Sequence, residues 1–169
     1  MALYLIHNGA AAGAAAPVAV TTGVAIKTLL QISTSATIVA KIVEWGISFD
    51  GSAAATPIKC ELVETSGAAT VTASVTGDII KVDGNALAGG NPVTNLLPVG
   101  TTATGYTASG EGTPGTCRIF DIQFIAPTSQ YVKQFPLGRE PVIQVSTFGR
   151  IRVTEGTAVN AYCYMVVEV

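Results

Sequence analysis

The chain has one histidine, His7. Any Ser-His-Asp or Cys-His unit would have to be built on it. It stands in the first segment with no Ser, Cys or Asp cluster beside it, and it reads as a surface histidine. Three cysteines, Cys60, Cys117 and Cys163, lie far apart with no CxxC pair and no neighbouring histidine, so no zinc site is indicated. Their odd number and strand-like surroundings predict unpaired, buried thiols acting as small apolar residues. Glu44, Asp50, Glu61 and Glu64 are the densest carboxylates. Acid-base work needs two carboxylates converging on one bond. Glu44 and Glu61 fall instead on the outward phases of their strands, as solvated charges. Asp83-Gly84-Asn85 is too short for a calcium loop and reads as a turn. No GxxxxGK[ST] or GxGxxG run is present to cradle a phosphate. These residues predict no catalytic group, no metal, no cofactor and no enzymatic activity.

The aromatic residues suit contact better than chemistry. Trp45 is in phase with Val43 and Ile47 and is expected in the core. Tyr162 and Tyr164 lie opposite the apolar set of the last strand, and tyrosine is enriched at protein interfaces. Tyr4, His7 and Pro17 in the first segment, with Tyr131, Tyr162 and Tyr164, are therefore the candidate interface residues.

Elements that would position these side chains follow from periodicity. Apolar residues alternate with polar ones over Val24–Ile32, Val39–Phe49, Ile58–Leu62, Val71–Val75, Phe120–Phe124, Ile151–Val153 and Val159–Val167. Successive strand side chains point to opposite faces, so each run offers one face to a core. Turn signals such as Asp50-Gly51-Ser52, Ser66-Gly67 and Glu155-Gly156 separate the runs. The pattern predicts an all-β fold: one β-sandwich or jelly-roll-like domain over 24–169. Gly105–Gly112 reads as a loop, and Lys81–Ser109 as a long irregular connection over one end. Ala/Gly-rich residues 1–23 read as an irregular N-terminal arm, able to lie close against a neighbouring chain.

Composition points to covered surfaces. The 169 residues hold 49% hydrophobic and only 12% charged side chains, with net charge −2. A typical soluble domain carries about 25% charged residues. Nine Lys and Arg are scattered, only Arg150 and Arg152 falling close together, so no direct nucleic-acid partner is expected. Met1–Val20 has no Lys or Arg, and Pro17 interrupts its weakly apolar run. Neither a secretory signal nor a membrane span is expected, and synthesis falls to the cytoplasm.

Four stretches together resemble a known family: VEWGISFDGSAAATPIKCELVET (Val43–Thr65), GYTASGEGT (Gly105–Thr113), APTSQYVKQFPLGREP (Ala126–Pro141) and RIRVTEGTAVNAYCYMVVEV (Arg150–Val169). They are similar to small virion structural proteins of tailed bacteriophages and prophages, of the capsid decoration or cement type. The likeness spans most of Lys27–Val169 and leaves out the first segment. It implies a homo-oligomer, a trimer, that binds the major capsid protein on the outer capsid surface of a virion assembled in the host cytoplasm. Two other readings stay open from the residues alone. One is a carbohydrate-binding β-sandwich module stacking sugars on Trp45, Tyr131 and Tyr162. The other is a tail-associated hydrolase.

Overall fold

A computed structural model describes residues 2–10, 18–52, 56–82 and 96–169. Within them the chain is all β: two antiparallel sheets packed face to face, with no α-helix among the described residues. One sheet runs β10 (Gln130–Gln134), β4 (Ala40–Asp50), β13 (Asn160–Glu168), β1 (Leu3–His7), β7 (Ile79–Lys81). Two short strands extend it, β2 (Val20–Thr21) on β13 and β11 (Val142–Ile143) on β4. The other sheet runs β6 (Thr70–Ala73), β8 (Gly105–Gly110), β3 (Ile26–Ser33), β12 (Phe148–Thr154), β5 (Ile58–Thr65), β9 (Cys117–Ile125).

The alternation that predicts strands also sets the core. On β13, Ala161, Cys163, Met165 and Val167 are buried, while Tyr162, Tyr164 and Val166 between them are partly exposed. Trp45 and Ile47 meet them from β4, and Leu62 and Ile151 close the core from the other sheet. Each such side chain contributes about 1.5–3 kcal/mol through burial. Trp45 is fully buried, as its phase predicts.

The start of the chain differs from expectation. Leu3–His7 is not an irregular arm but a strand between β13 and β7, in register Tyr4↔Val167 and Ile6↔Met165. Its alternation drives Tyr4 and Ile6 into the core. Asn8 continues the pairing: its side-chain amide donates to the Ala161 carbonyl, its Oδ1 accepts from the Cys163 N–H, and its own N–H meets the Cys163 carbonyl. Chain beyond residue 17 returns to the same neighbour, Val20 pairing with Ala161. The described residues on either side of 11–17 are thus both held at β13. A β-carbon added at Gly9 would sit 3.4 Å from the Val18 carbonyl oxygen, so the two ends meet. Residues 11–17, and with them Pro17, lie outside the described residues, as does Asp83-Gly84-Asn85.

Gly105–Gly110 is likewise a strand and not a loop. A β-carbon at Gly105 would lie 2.3 Å from the Thr72 carbonyl, so only glycine lets β8 approach β6 this closely. The expected long connection before it is shorter than read: Ile79–Lys81 pairs with β1, and 96–104 is turn-rich with an isolated bridge between Val99 and Thr104.

Candidate functional site

The residues singled out from sequence separate into three environments. The first is the face of the seven-stranded sheet turned away from the core. Strand register sets His7 beside Tyr164, Tyr164 beside Gly46, and Tyr162 beside Ser48. The Tyr162 hydroxyl lies 2.5 Å from His7 Nδ1, and their rings are 5.3 Å apart. Tyr164 Oη donates to Glu44 Oε1 at 2.6 Å. This reach depends on Gly46. A β-carbon there would stand 2.5 Å from Cε1 of Tyr164, so the missing side chain is what lets the phenol lie flat across β4. Burial, followed by the hydrogen bond to Glu44, pushes the Tyr164 hydroxyl up to about 12. Burial also raises Tyr162 and lowers His7 from its ordinary value. The cluster is thus a neutral imidazole and two neutral phenols, held flat by their own bonds.

The second environment lies between the sheets, where β9 and β10 form neighbouring margins. Asp121 was expected to point outward, opposite Phe120, Ile122 and Phe124. Its register partner is Leu62, and it is buried. Ile122 and Phe124 are the exposed ones, Phe124 at 72%. Pairing shifts between Leu62 and Val63, so one residue of β9 bulges and the simple alternation fails there. Asp121 accepts from Trp45 Nε1 at 3.3 Å, Tyr131 Oη at 3.0 Å and Gln123 Nε2 at 2.9 Å, with Lys133 Nζ 3.4 Å away. The rings of Trp45 and Tyr131 pack 5.3 Å apart. Burial and the bond to Asp121 push the Tyr131 hydroxyl up to about 12. One carboxylate therefore ties the two sheets together.

A third environment covers the outer face of the six-stranded sheet. Glu61 was expected to be solvated and is instead buried, between Lys59 Nζ and Arg152 Nε, each 3.3 Å away. Arg150 is fully buried beside it. Its guanidinium donates to the Gly67 and Glu111 carbonyls and lies 3.6 Å from the Glu111 carboxylate. Glu111 also accepts from the Thr28 hydroxyl at 2.7 Å. Loops at 66–69 and 111–116 lie over β12, which is why outward strand positions are buried there. The charges pair with one another, although Arg150 Nε, Arg152 Nε and Glu61 Oε2 make no hydrogen bond there.

Set against the sequence reading, His7, Tyr162 and Tyr164 come together on one face. Tyr4 does not join them: it is a core residue, because its phase on β1 is opposite to that of His7. Tyr131 donates its hydroxyl to Asp121 and packs on Trp45, away from the other three. Glu44, Asp50, Glu61 and Glu64 are split between β4 and β5, on different sheets, and form no pair. All three thiols are free. Cys60 and Cys163 are buried, but Cys117, expected buried, is exposed at the start of edge strand β9. Leu5, Ile80, Val132 and Val166, which complete the apolar face around His7, were not singled out. The first three belong to strands of five, three and five residues, too short to show a period, while Val166 continues the outward set of β13.

No family model, curated protein or solved structure matches this chain. Among the described residues no group of three or more His, Cys, Asp and Glu side chains is placed to hold a metal ion.

Proposed function

We propose that this chain is a non-enzymatic structural protein of a tailed-phage virion. In this reading it is a capsid decoration, or cement, protein that assembles with its own copies and binds the major capsid protein on the outer capsid surface. The observation that carries the reading is the outer sheet face bearing His7, Tyr162 and Tyr164, on which Glu44 is bonded to Tyr164 and Lys41 to Glu168. Such a face has more to gain from a protein partner than from water, because its polar groups already satisfy one another. Sparse charge across the whole chain points the same way. The virion, the capsid station and the threefold symmetry come from the resemblance of Val43–Thr65, Gly105–Thr113, Ala126–Pro141 and Arg150–Val169 to that family.

The sugar-binding alternative loses its platform. Trp45 is fully buried and Tyr131 faces inward to Asp121, which leaves Tyr162 alone of the three rings. The deciding experiment is co-sedimentation of the purified protein with heads of a phage whose genome encodes it, stripped of their own copies. Saturable binding at a fixed ratio to the major capsid protein is expected. Heads that pellet without it would overturn the capsid assignment.

A further inference from the structure

The outer face of the seven-stranded sheet extends well beyond the tyrosine cluster. Register places Leu5 between Ile80 of β7 and Val166 of β13, and Gly46 beside Val132 of β10. Ile80 is 37% exposed and Val132 54%. Most charged groups on this face are already bonded within it. Lys41 and Glu168 form an ion pair of 3.1 Å, Glu44 accepts from Tyr164, and Asp50 ends β4. Burying the face would strand neither Glu44 nor the Lys41–Glu168 pair without a partner, so it avoids the larger cost of an unpaired buried charge and leaves only that of desolvation.

We infer that this face docks against the same face of a second copy of the chain, sheet on sheet about a two-fold axis. The inference deepens the self-assembling part of the reading above and rests on it. Three observations select a second copy as the occupant. The first is flatness. With no side chain at Gly46 and Tyr164 lying over it, the centre of the face has neither knob nor groove, and a flat sheet face packs best on another sheet, about 10 Å away.

The second is area. Five strands about 4.8 Å apart, of three to eleven residues at about 3.3 Å each, present roughly 500 Å² per copy. Two copies then bury about 1,000 Å² in total, the lower bound for a specific contact. The third is charge. Lys41 stands at the start of β4 and Asp50 at its end. A two-fold axis perpendicular to the strands inverts their direction, so the Asp50 ends of the two copies lie apart, while Lys41 stays paired with Glu168 of its own chain. A strongly charged partner would find no complement here.

A contact of this kind is isologous and yields even numbers of chains. Alone it gives a dimer; combined with a threefold contact elsewhere it gives a hexamer, two trimers face to face. The test is the mass of the full chain by sedimentation equilibrium. The variants are Val132→Asp together with Ile80→Asp, at the two margins of the face, both positions exposed in the single chain so that the fold survives. Phe124→Asp, on the outer face of the other sheet, is the control. Expected are an even-numbered wild type, a double variant of half that mass or with affinity weakened at least tenfold, and a Phe124→Asp protein like wild type. A wild-type trimer, or an even-numbered assembly that the double variant leaves intact, overturns the inference and leaves the capsid reading standing. A wild type that stays monomeric overturns it too, and head binding then judges the capsid reading separately. Circular dichroism of the double variant must match wild type; a fold loss passes the test to Tyr164→Arg, read by the same masses.

Discussion

Replacing Asp121 with alanine removes the acceptor shared by Trp45, Tyr131 and Gln123. The Trp45 indole N–H is fully buried and would keep no acceptor, a cost of about 2 kcal/mol. The Tyr131 hydroxyl is only half-buried and turns to water, so its loss is about 1 kcal/mol. Lys133 is partly exposed, and its ion pair adds a few tenths of a kcal/mol at most. Relief of the carboxylate's own desolvation offsets part of this. The net expectation is a destabilisation of about 3 kcal/mol. With a urea slope of about 2 kcal/mol per M, the midpoint falls by about 1.5 M. Asp121→Asn keeps one oxygen for Trp45 and should lose about half as much. Trp45 is the sole tryptophan, so its fluorescence reports the transition directly. An alanine variant within about 1 kcal/mol of wild type would refute the view that this carboxylate ties the sheets together. An asparagine variant as damaged as the alanine one would show that charge, and not acceptor geometry, is what counts.

Four further outcomes follow from the same geometry. A thiol reagent should modify Cys117 quickly in the native protein, while burial, which pushes the Cys60 thiol up to about 12 and also raises Cys163, keeps those two silent until denaturation; two or more fast thiols would contradict the packing. Alkaline titration followed at 295 nm should show Tyr131 and Tyr164 ionising near pH 12; because their folded values lie above the unfolded one of about 10, the stability they add is present below pH 10 and is lost as pH rises toward 12. Gly46→Ala should swing the Tyr164 ring off β4 and bring its titration back toward 10, at a net cost of about 1 kcal/mol or less; an unmoved titration would refute the glycine argument. His7 gives the only histidine resonance, and it should titrate below 6.5. A lowered histidine adds stability above the unfolded value that fades as pH falls through the folded one, and Tyr162→Phe should leave the shift in place because burial, not the hydrogen bond, causes it.

The alternation of Ala161, Cys163, Met165 and Val167 against Tyr162, Tyr164 and Val166 was legible from the chain alone, and so were the all-β fold and the burial of Trp45. Period two is a local property of an extended backbone, and nothing distant is needed to read it. Leu3–His7 carried the same signal over only five residues, overshadowed by the Ala/Gly run that follows. Its place beside β13 was decided by a partner more than 150 residues away. The direction of Asp121 was illegible for another reason: a bulge in β9 resets the phase, and a bulge is a feature of pairing with β5, not of β9 alone. Glu61 and Arg150 sit at outward strand positions, as their phase requires; Arg150 is buried under loops from elsewhere in the chain, and Glu61 between the side chains of Lys59 and Arg152. Sequence thus determined which side faces which way on β13 and around Trp45 on β4, but not on β9, where the pairing bulges. Tertiary structure decided what each side meets, because burial depends on the neighbour that arrives and no local spacing records that neighbour.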